Sequence, residues 1–323
     1  MRVVVIGGTG HVGSFLVPRL TRNGHQVVSL SRGAHRPYVD DPAWAETEQV
    51  TVDREVEDAA GTFADFVREL KPDVVIDMLC FTVDSARSLI EGLRGHVEHL
   101  IHCGSIWMHG PSLKLPVVES DGSEPFGEYG IQKAAIARML RAETEQGGLV
   151  TTSLHPGHIS GPGWHVVNPV GNTDPTVWQT LARGAVLDIP GLGAELLAHV
   201  HADDVAQAFA LAVEHRDQAA GESFHVTAAA ALTVRGLAQI AAGWFGREAS
   251  LRSVSWSEFR AGTADHYADA SWEHLSRSHH MSIEKARRLL GYQPAYEPEA
   301  AVQEAVRWLI HHGQLTVENP MTG

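Results

Sequence analysis

The sequence has little cysteine and no long hydrophobic run. Its 323 residues include only two cysteines, Cys80 and Cys103, which lie far apart in separate apolar runs. This usage excludes a disulfide framework and indicates two buried thiols in a reducing compartment, so we expect a cytoplasmic protein. No apolar run approaches the roughly 18 residues that span a bilayer. The first residues run into glycines without a signal-peptide pattern, so we expect them to belong to the fold.

Positive charge is also scarce. The chain has 25 Lys and Arg residues against 39 Asp and Glu residues, which gives a formal net charge of −14. Such a charge repels nucleic-acid phosphates and anionic lipids, so we expect neither a nucleic-acid nor a membrane partner. The hydrophobic content of 44% is that of a globular chain, which at this length buries a core without disulfides or metals.

Up to about residue 160, short β-branched runs alternate with helical stretches. The runs are residues 3–6, 26–30, 49–52, 74–78, 99–103 and 150–154. Runs such as VVVI at 3–6 and VVIDM at 74–78 are apolar on both faces, as is typical of strands that helices cover on both sides. The alternation predicts an α/β fold with a doubly wound parallel sheet of the Rossmann type.

Beyond residue 160 the chain contains loops rich in glycine, proline, asparagine and tryptophan. Helical stretches at 176–183, 205–213 and 299–311 separate these loops, and residues 221–226 are expected to supply one more strand. We therefore predict a smaller C-terminal substrate-binding domain that interleaves with the first. The predicted bounds are 1–158 for a dinucleotide-binding domain, with a returning segment near 199–227, and 159–323 for a substrate-binding cap.

A glycine-rich turn follows the first strand, where Gly7, Gly10 and Gly13 have the spacing G-x-x-G-x-x-G. We expect a helix to begin near Gly10. A strand, a glycine turn and a helix N-terminus in this order predict a pyrophosphate site, because the backbone can approach the anion and free N–H groups can bind it. A tight turn without a ligand is the alternative. The predicted cofactor-binding residues of the turn are Gly7, Thr9, Gly10, His11, Val12 and Gly13.

The end of the second strand bears on the choice of cofactor. NAD-binding sheets usually have an acidic residue there, whereas this strand ends in Ser31-Arg32. A hydroxyl followed by a guanidinium suits a 2′-phosphate, with Arg36 close enough to help, so we predict NADP in preference to NAD. A solvated Arg32 is the alternative. Asp53, after the third strand, is predicted to contact adenine or to cap the next helix.

The strongest motif is Tyr129-Gly-Ile-Gln-Lys133. With 5 tyrosines and 4 lysines in the chain, only about 0.06 chance occurrences of Y-x-x-x-K are expected. On a helix the two side chains share a face, so we expect the Lys133 ammonium to favour the Tyr129 phenolate and to reach the ribose of a bound nucleotide. An exposed pair on a surface helix is the alternative. Ser105, just after the fifth strand, is predicted to polarise a substrate oxygen or to cap a turn.

In this order and spacing, the glycine turn, Ser105 and the Tyr129-Lys133 pair resemble those of the extended short-chain dehydrogenases/reductases, in particular the NAD(P)-dependent epimerase/dehydratase family. Residues 154–158 and 199–205 extend the resemblance over nearly the whole chain. The resemblance implies hydride transfer to or from nicotinamide, with Ser105, Tyr129 and Lys133 as catalytic residues. It also implies that Lys133 and Pro156 contact the cofactor, and that the helix after Tyr129 pairs with its copy in a homodimer.

Residues that differ from the family pattern narrow the range of expected substrates. Similar dehydratases carry an Asp-Glu pair where this chain has Ile106-Trp107, so we expect no dehydration. The arginine that grips the diphosphate of nucleotide sugars is replaced by Leu197, although Arg277 could take its place. We therefore expect an NAD(P)-dependent oxidoreductase or epimerase that acts on a hydroxyl or keto carbon of a small carbohydrate-like substrate.

The side chains predicted to line the substrate pocket are Trp107, His158 and Trp164, because such rings stack on sugars and hydrogen-bond to polyols. Simple packing is the alternative for each. Residues 282–292 also resemble chloroplast stem-loop RNA-binding relatives, so a catalytically idle nucleotide-binding or RNA-associated protein is the alternative function. We expect no metal, because no set of histidines, cysteines and carboxylates has a convincing ligand spacing.

Overall fold

The computed structural model describes residues 1–121 and 123–322. The strands are β1 Arg2–Ile6, β2 Gln26–Ser31, β3 Glu48–Thr51, β4 Val74–Asp77, β5 His99–Cys103, β6 Thr151–Pro156, β7 His158–Ser160, β8 Val186–Pro190, β9 Leu196–Leu197, β10 His199–His201, β11 Ser223–Val226, β12 Leu232–Thr233 and β13 Ser250–Val254. The α-helices are α1 Gly13–Arg22, α2 Arg54–Ala60, α3 Phe63–Glu69, α4 Val83–Leu93, α5 Glu128–Glu145, α6 Pro175–Arg183, α7 Ala202–Glu214, α8 Arg216–Ala219, α9 Val234–Trp244, α10 Trp256–Ala261, α11 Asp265–Leu275, α12 Glu284–Leu290 and α13 Pro298–His311. Two 3-10 helices are η1 Pro42–Glu46 and η2 Ile106–Met108.

In the described part of the chain, seven strands form one parallel sheet in the order β11-β6-β5-β4-β1-β2-β3. The predicted Rossmann fold is confirmed, since all six predicted strands are present and the run at 221–226 supplies the edge strand β11. The order reverses between β1 and β4, which pair with each other in parallel. In an open parallel sheet, such a reversal leaves a crevice at the carboxyl ends of the strands.

Helices cover both faces of the sheet, as the apolar strands predict. Val3 and Val5 of β1 pack on one face with Leu16 of α1 and Phe209 of α7. Val4 and Ile6, which alternate with them, belong to the core on the other face, where helices α3, α4 and α5 pack. A further core beyond residue 160 is built around Trp178, Leu237 and Val306. The division into domains at residue 158 stays a prediction.

Helix α5 uses its apolar side chains within the chain. Ala134, Ile136 and Leu140 are buried, and the last two pack with Met139 in the core against the sheet. They lie on the helix that the resemblance expects to pair with its copy, and here they pack within the chain. The homodimer itself stays a prediction. The two cysteines are free thiols, and no helix in the described ranges is long and apolar enough to cross a membrane.

Eleven histidines among the described residues have a lowered pKa, with burial as the main cause in each; the least buried of them is His25. Burial lowers the pKa to about 4 for His11, His99, His274 and His279 and to about 3 for His155 and His199. It also lowers the pKa of His109, and it lowers those of His102, His158 and His225 well below the usual value. Several of their rings hydrogen-bond as neutral groups; His99, for example, lies 2.8 Å from the Thr152 hydroxyl. The folded protein therefore excludes protons that the unfolded chain binds.

Lowering the pH from about 7.5 to about 5 is expected to destabilise the fold. Each of these histidines binds a proton in the unfolded chain below about pH 6.5, so its contribution is complete above that pH and is lost as the pH falls towards the folded-state value. One such group changes the free energy of unfolding by at most about 1.4 kcal/mol per pH unit. Urea unfolding at a series of pH values should give a slope equivalent to the uptake of several protons. A constant midpoint over this range would contradict the expectation.

Candidate active site

The glycine turn begins where β1 ends, at the crevice. Gly7 has φ +88°, a conformation that favours glycine, and a Cβ on Gly13 would lie 2.2 Å from the Gly8 carbonyl oxygen. Helix α1 begins at Gly13 rather than near Gly10, because a bond from the Gly10 N–H to the Gly7 carbonyl closes a separate turn first. Only a turn built from glycines brings the helix end this close to the strand.

The N-terminus of α1 has free hydrogen-bond donors. No side chain caps it, and the N–H groups of His11, Val12 and Gly13 take no part in the hydrogen bonds of residues 1–121 and 123–322. Such donors, together with the positive end of the helix dipole, bind phosphate groups. The turn therefore fits the pyrophosphate of a dinucleotide.

Trp164 lies against the glycine turn. Its ring is 53% exposed and stacks on His11, with ring centroids 6.1 Å apart. Gly161 and Gly163, with φ +105° and +100°, turn the loop in this direction, and Tyr38 packs directly against Gly163. Trp164 therefore lies beside the predicted pyrophosphate site, and its place in the substrate pocket stays a prediction.

The segment after β2 leaves two cations free. The side chains of Arg32 and Arg36 are exposed and form no hydrogen bond or ion pair within the described chain. Ser31 accepts a hydrogen bond from the Gly33 N–H at 3.2 Å. Asp53 accepts one from the Glu55 N–H at 3.0 Å and so caps α2, which is the alternative that the sequence left open; a contact with adenine stays a prediction.

Lys133 is buried, with 1% exposure, and its ammonium is fixed by backbone carbonyls. Its Nζ donates to the carbonyls of Cys80 and Cys103, at 2.7 Å each, in the segments at the ends of β4 and β5. Nζ lies 5.6 Å from the centroid of the Tyr129 ring, on the shared helix face that the spacing predicts. Since an ammonium has three N–H groups, one remains for a ligand. Burial lowers the pKa of Lys133.

Tyr129 differs from the expectation in its pKa. The residue is 40% exposed, yet its phenol oxygen lies among groups that desolvate the anion, and this raises the pKa to about 12. The Cys103 thiol raises it further, and a hydrogen bond with the Ser105 hydroxyl partly offsets both effects. The expected phenolate is not favoured in the protein alone, because desolvation is the largest effect on the pKa of the phenol. Tyr129 is a neutral proton donor at neutral pH.

Ser105 lies directly after β5 and begins η2. Its hydroxyl oxygen accepts a hydrogen bond from the Trp107 N–H at 3.2 Å, so the capping role left open in the sequence is present. The same hydroxyl contacts Tyr129. The structure therefore brings together the three predicted catalytic side chains. Pro156 is buried at the end of β6, and its contact with a cofactor stays a prediction.

A row of rings leads away from Tyr129. The Trp107 ring meets Tyr129 at 5.8 Å and His274 at 4.8 Å between centroids, and His274 meets His158 at 4.8 Å. Ring contacts thus connect Trp107 and His158 to Tyr129, and their role in a substrate pocket stays a prediction. Sequence reasoning missed His274, which comes from the distant helix α11 and has no motif around it.

Arg277 is buried, with its guanidinium against the Trp107 ring. It is 1% exposed, and its guanidinium carbon lies 4.1 Å from the centroid of Trp107 and 3.7 Å from that of Phe126. It donates to the Glu273 carboxylate and to the Phe126 carbonyl, both at 2.6 Å. Arg277 is therefore not available to grip a diphosphate; it holds the Trp107 ring instead.

The segment that holds Lys133 rests on a buried ion pair. Arg54 donates to the Asp77 carboxylate at 2.5 Å, and the same carboxylate oxygen accepts the Leu79 N–H at 3.0 Å. Asp77 ends β4, so this carboxylate fixes the turn that leads to the Cys80 carbonyl. Within the described ranges no group of three His, Cys, Asp or Glu side chains could hold a metal ion.

Comparisons with known proteins agree with this architecture. Residues 3–227 match the model of the NAD dependent epimerase/dehydratase family. The 2′-dehydrokanamycin reductase of Streptomyces kanamyceticus is 27% identical over 322 residues, which cover 98% of this chain and 86% of that protein. The chloroplast stem-loop binding protein of 41 kDa b from Arabidopsis thaliana is 26% identical over 306 residues, which cover 92% and 76%.

Solved structures share the fold. The crystal structure of UDP-glucose 4-epimerase with UDP-glucose from Thermotoga maritima matches with a TM-score of 0.71 over 97% of this chain and 99% of that one. The two sequences are 20% identical.

Replacing Arg54 by methionine is expected to lower the free energy of unfolding by about 3 kcal/mol, because it leaves the Asp77 carboxylate buried without its charge partner. The double variant Arg54→Met/Asp77→Asn should recover part of this loss, since no charge then remains buried. Urea unfolding of both variants and of Asp77→Asn alone measures the coupling. Equal losses for Arg54→Met and the double variant would show that the charge pair does not support the turn.

Proposed function

Since the chain belongs to the NAD dependent epimerase/dehydratase family, we propose that it catalyses hydride transfer between a nicotinamide cofactor and a hydroxyl or keto carbon of a small carbohydrate-like substrate. The observation that carries this proposal is the meeting of the Ser105 hydroxyl, the Tyr129 phenol and the Lys133 ammonium at the carboxyl ends of the strands. A bound nicotinamide would supply or accept the hydride. The chain's own residues hold the substrate oxygen and move its proton.

The three side chains have separate roles. With its pKa raised to about 12, Tyr129 holds a proton that it can donate to a substrate carbonyl oxygen during reduction. The Ser105 hydroxyl hydrogen-bonds the same oxygen and orients it. The Lys133 ammonium stabilises the phenolate left after proton transfer, and its third N–H is free for a ribose hydroxyl.

The preferred cofactor is NADP rather than NAD. The free N–H groups of the glycine turn accommodate the pyrophosphate of either nucleotide. The difference lies at the end of β2, where Arg32 and Arg36 are exposed and unpaired within the described chain. Guanidinium groups bind a phosphate with paired hydrogen bonds, so these two side chains suit the 2′-phosphate that NADP alone carries.

The proposed substrate carries no nucleotide diphosphate. This is supported by Arg277, whose charge is paired with Glu273 and covered by two rings. It is also supported by the buried imidazoles of His158 and His274, which are neutral and suit hydroxyl groups rather than anions. The relative named as 2′-dehydrokanamycin reductase is consistent with this substrate class.

Replacing Tyr129 by phenylalanine is expected to lower kcat at least about 100-fold and to leave the Kd for NADPH within about twofold, because only the proton donor is removed. The assay follows NADPH oxidation with a panel of small keto-carbohydrates and with UDP-linked keto-sugars. Tyr267→Phe is the control, since that tyrosine lies on α11 against His266. Unchanged turnover in Tyr129→Phe would exclude the mechanism. Turnover with the UDP-linked sugars alone would contradict the substrate class.

Replacing Arg32 by alanine is expected to raise the Kd for NADPH about 10- to 100-fold, the value of a charge-assisted hydrogen bond, with no change in the Kd for NADH. Fluorescence titration with each nucleotide measures both constants. Arg87→Ala is the matched control, because Arg87 is an exposed arginine on α4 that pairs with Asp84. Equal changes in the two Kd values would show that Arg32 does not read the 2′-phosphate.

A further inference from the structure

The helix η2 that carries Ser105 and Trp107 begins against a buried histidine. His155 lies on β6, and its Nδ1 accepts a hydrogen bond from the Ser105 N–H at 3.2 Å. A Cβ on Gly104 would lie 2.2 Å from this nitrogen, so the ring fits only because residue 104 is glycine. The Gly104 N–H bonds to the Leu154 carbonyl at 2.7 Å, and the next donor along the chain then meets the imidazole. The Ser105 N–H thus donates to the imidazole instead of to a backbone carbonyl.

The other end of η2 meets a second buried histidine. His109 follows η2 directly, and its Nε2 lies 2.9 Å from Nε2 of His225. His225 lies on β11 and is the register partner of His155 on β6, with ring centroids 6.5 Å apart. Two neighbouring imidazoles of the sheet therefore hold η2 at its two ends.

The His155 ring is neutral and has a single tautomer. Because Nδ1 accepts the Ser105 N–H, the ring proton is on Nε2. Burial, His109 and the cations Lys133, Arg141 and Lys285 lower the pKa of His155 to about 3, so the acceptor is present at neutral pH. Nε2 is buried without a partner in the described part of the chain. A buried N–H without an acceptor lowers the stability of the fold. A contribution to stability therefore does not explain why a histidine occupies position 155.

We propose that His155 and His225 are positioning residues, which hold η2 so that the Ser105 hydroxyl and the Trp107 ring face Tyr129. The proposal rests on the proposed function, because the position of Ser105 matters only if its hydroxyl meets the substrate oxygen. His155 acts through the Ser105 backbone and does not touch the reacting atoms. His225 acts through His109.

A pair of variants separates this role from packing. His155→Leu removes the acceptor for the Ser105 N–H, whereas His155→Asn keeps an oxygen near the position of Nδ1. We expect His155→Leu to lower kcat about 10- to 100-fold, the effect of a small misplacement of a catalytic group, with the Kd for NADPH unchanged. The kinetic pKa of Tyr129 should rise in His155→Leu, because the Ser105 hydrogen bond lowers it. The His155→Asn variant should keep most of the wild-type kcat and a kinetic pKa of Tyr129 close to the wild-type value.

The outcomes distinguish the two proposals. If His155→Leu and His155→Asn lose the same activity with an unchanged kinetic pKa, the role of His155 is packing and the inference is wrong. If Tyr129→Phe retains turnover, the proposed function fails first. The imidazole ¹⁵N shifts of the wild-type protein need neither activity nor a variant. They should show His155 with its proton on Nε2 and no titration between about pH 8 and pH 6. A proton on Nδ1 would overturn the inference.

Discussion

The site depends on one buried ammonium. A cation in the interior is stable only when hydrogen-bond acceptors replace water, and Lys133 finds them in the carbonyls of Cys80 and Cys103. Those carbonyls belong to the segments that end β4 and β5, so Lys133 ties α5 to two neighbouring strands. Tyr129 lies one helical turn earlier and is therefore delivered to the edge of the sheet where Ser105 emerges. The position of the phenol follows from the position of the ammonium.

Features that depend on local sequence could be predicted. The parallel strands follow from apolar runs, and the glycine turn and the Tyr129-Lys133 pair follow from spacing along one turn or one helix. Lys133 lies beside Tyr129 as the spacing predicts, although the carbonyls that bind its ammonium could not be predicted. The family that these motifs resemble is confirmed by the match over residues 3–227.

Features that depend on distant segments could not be predicted. Trp164 turns towards His11 because two glycines direct its loop, and the spacing of residues does not show where such a loop points. Arg277 meets the Phe126 carbonyl, 151 residues away in the chain, although its ion-pair partner Glu273 lies only one helical turn before it. The raised pKa of Tyr129 reflects desolvation, which is a property of the assembled site rather than of the Y-x-x-x-K pattern.

The Lys133 contacts also affect how this sequence can change over time. Both acceptors are main-chain carbonyls, so the hydrogen bonds of the ammonium do not depend on which side chains residues 80 and 103 carry. Those two positions can change to other small, apolar residues while both carbonyls stay in place, although a change at Cys103 would remove one of the causes that raise the pKa of Tyr129. Lys133 itself has no such freedom, because few other side chains reach both carbonyls with a charged donor. An evolutionary trace of this site would therefore show one invariant lysine beside two variable neighbours.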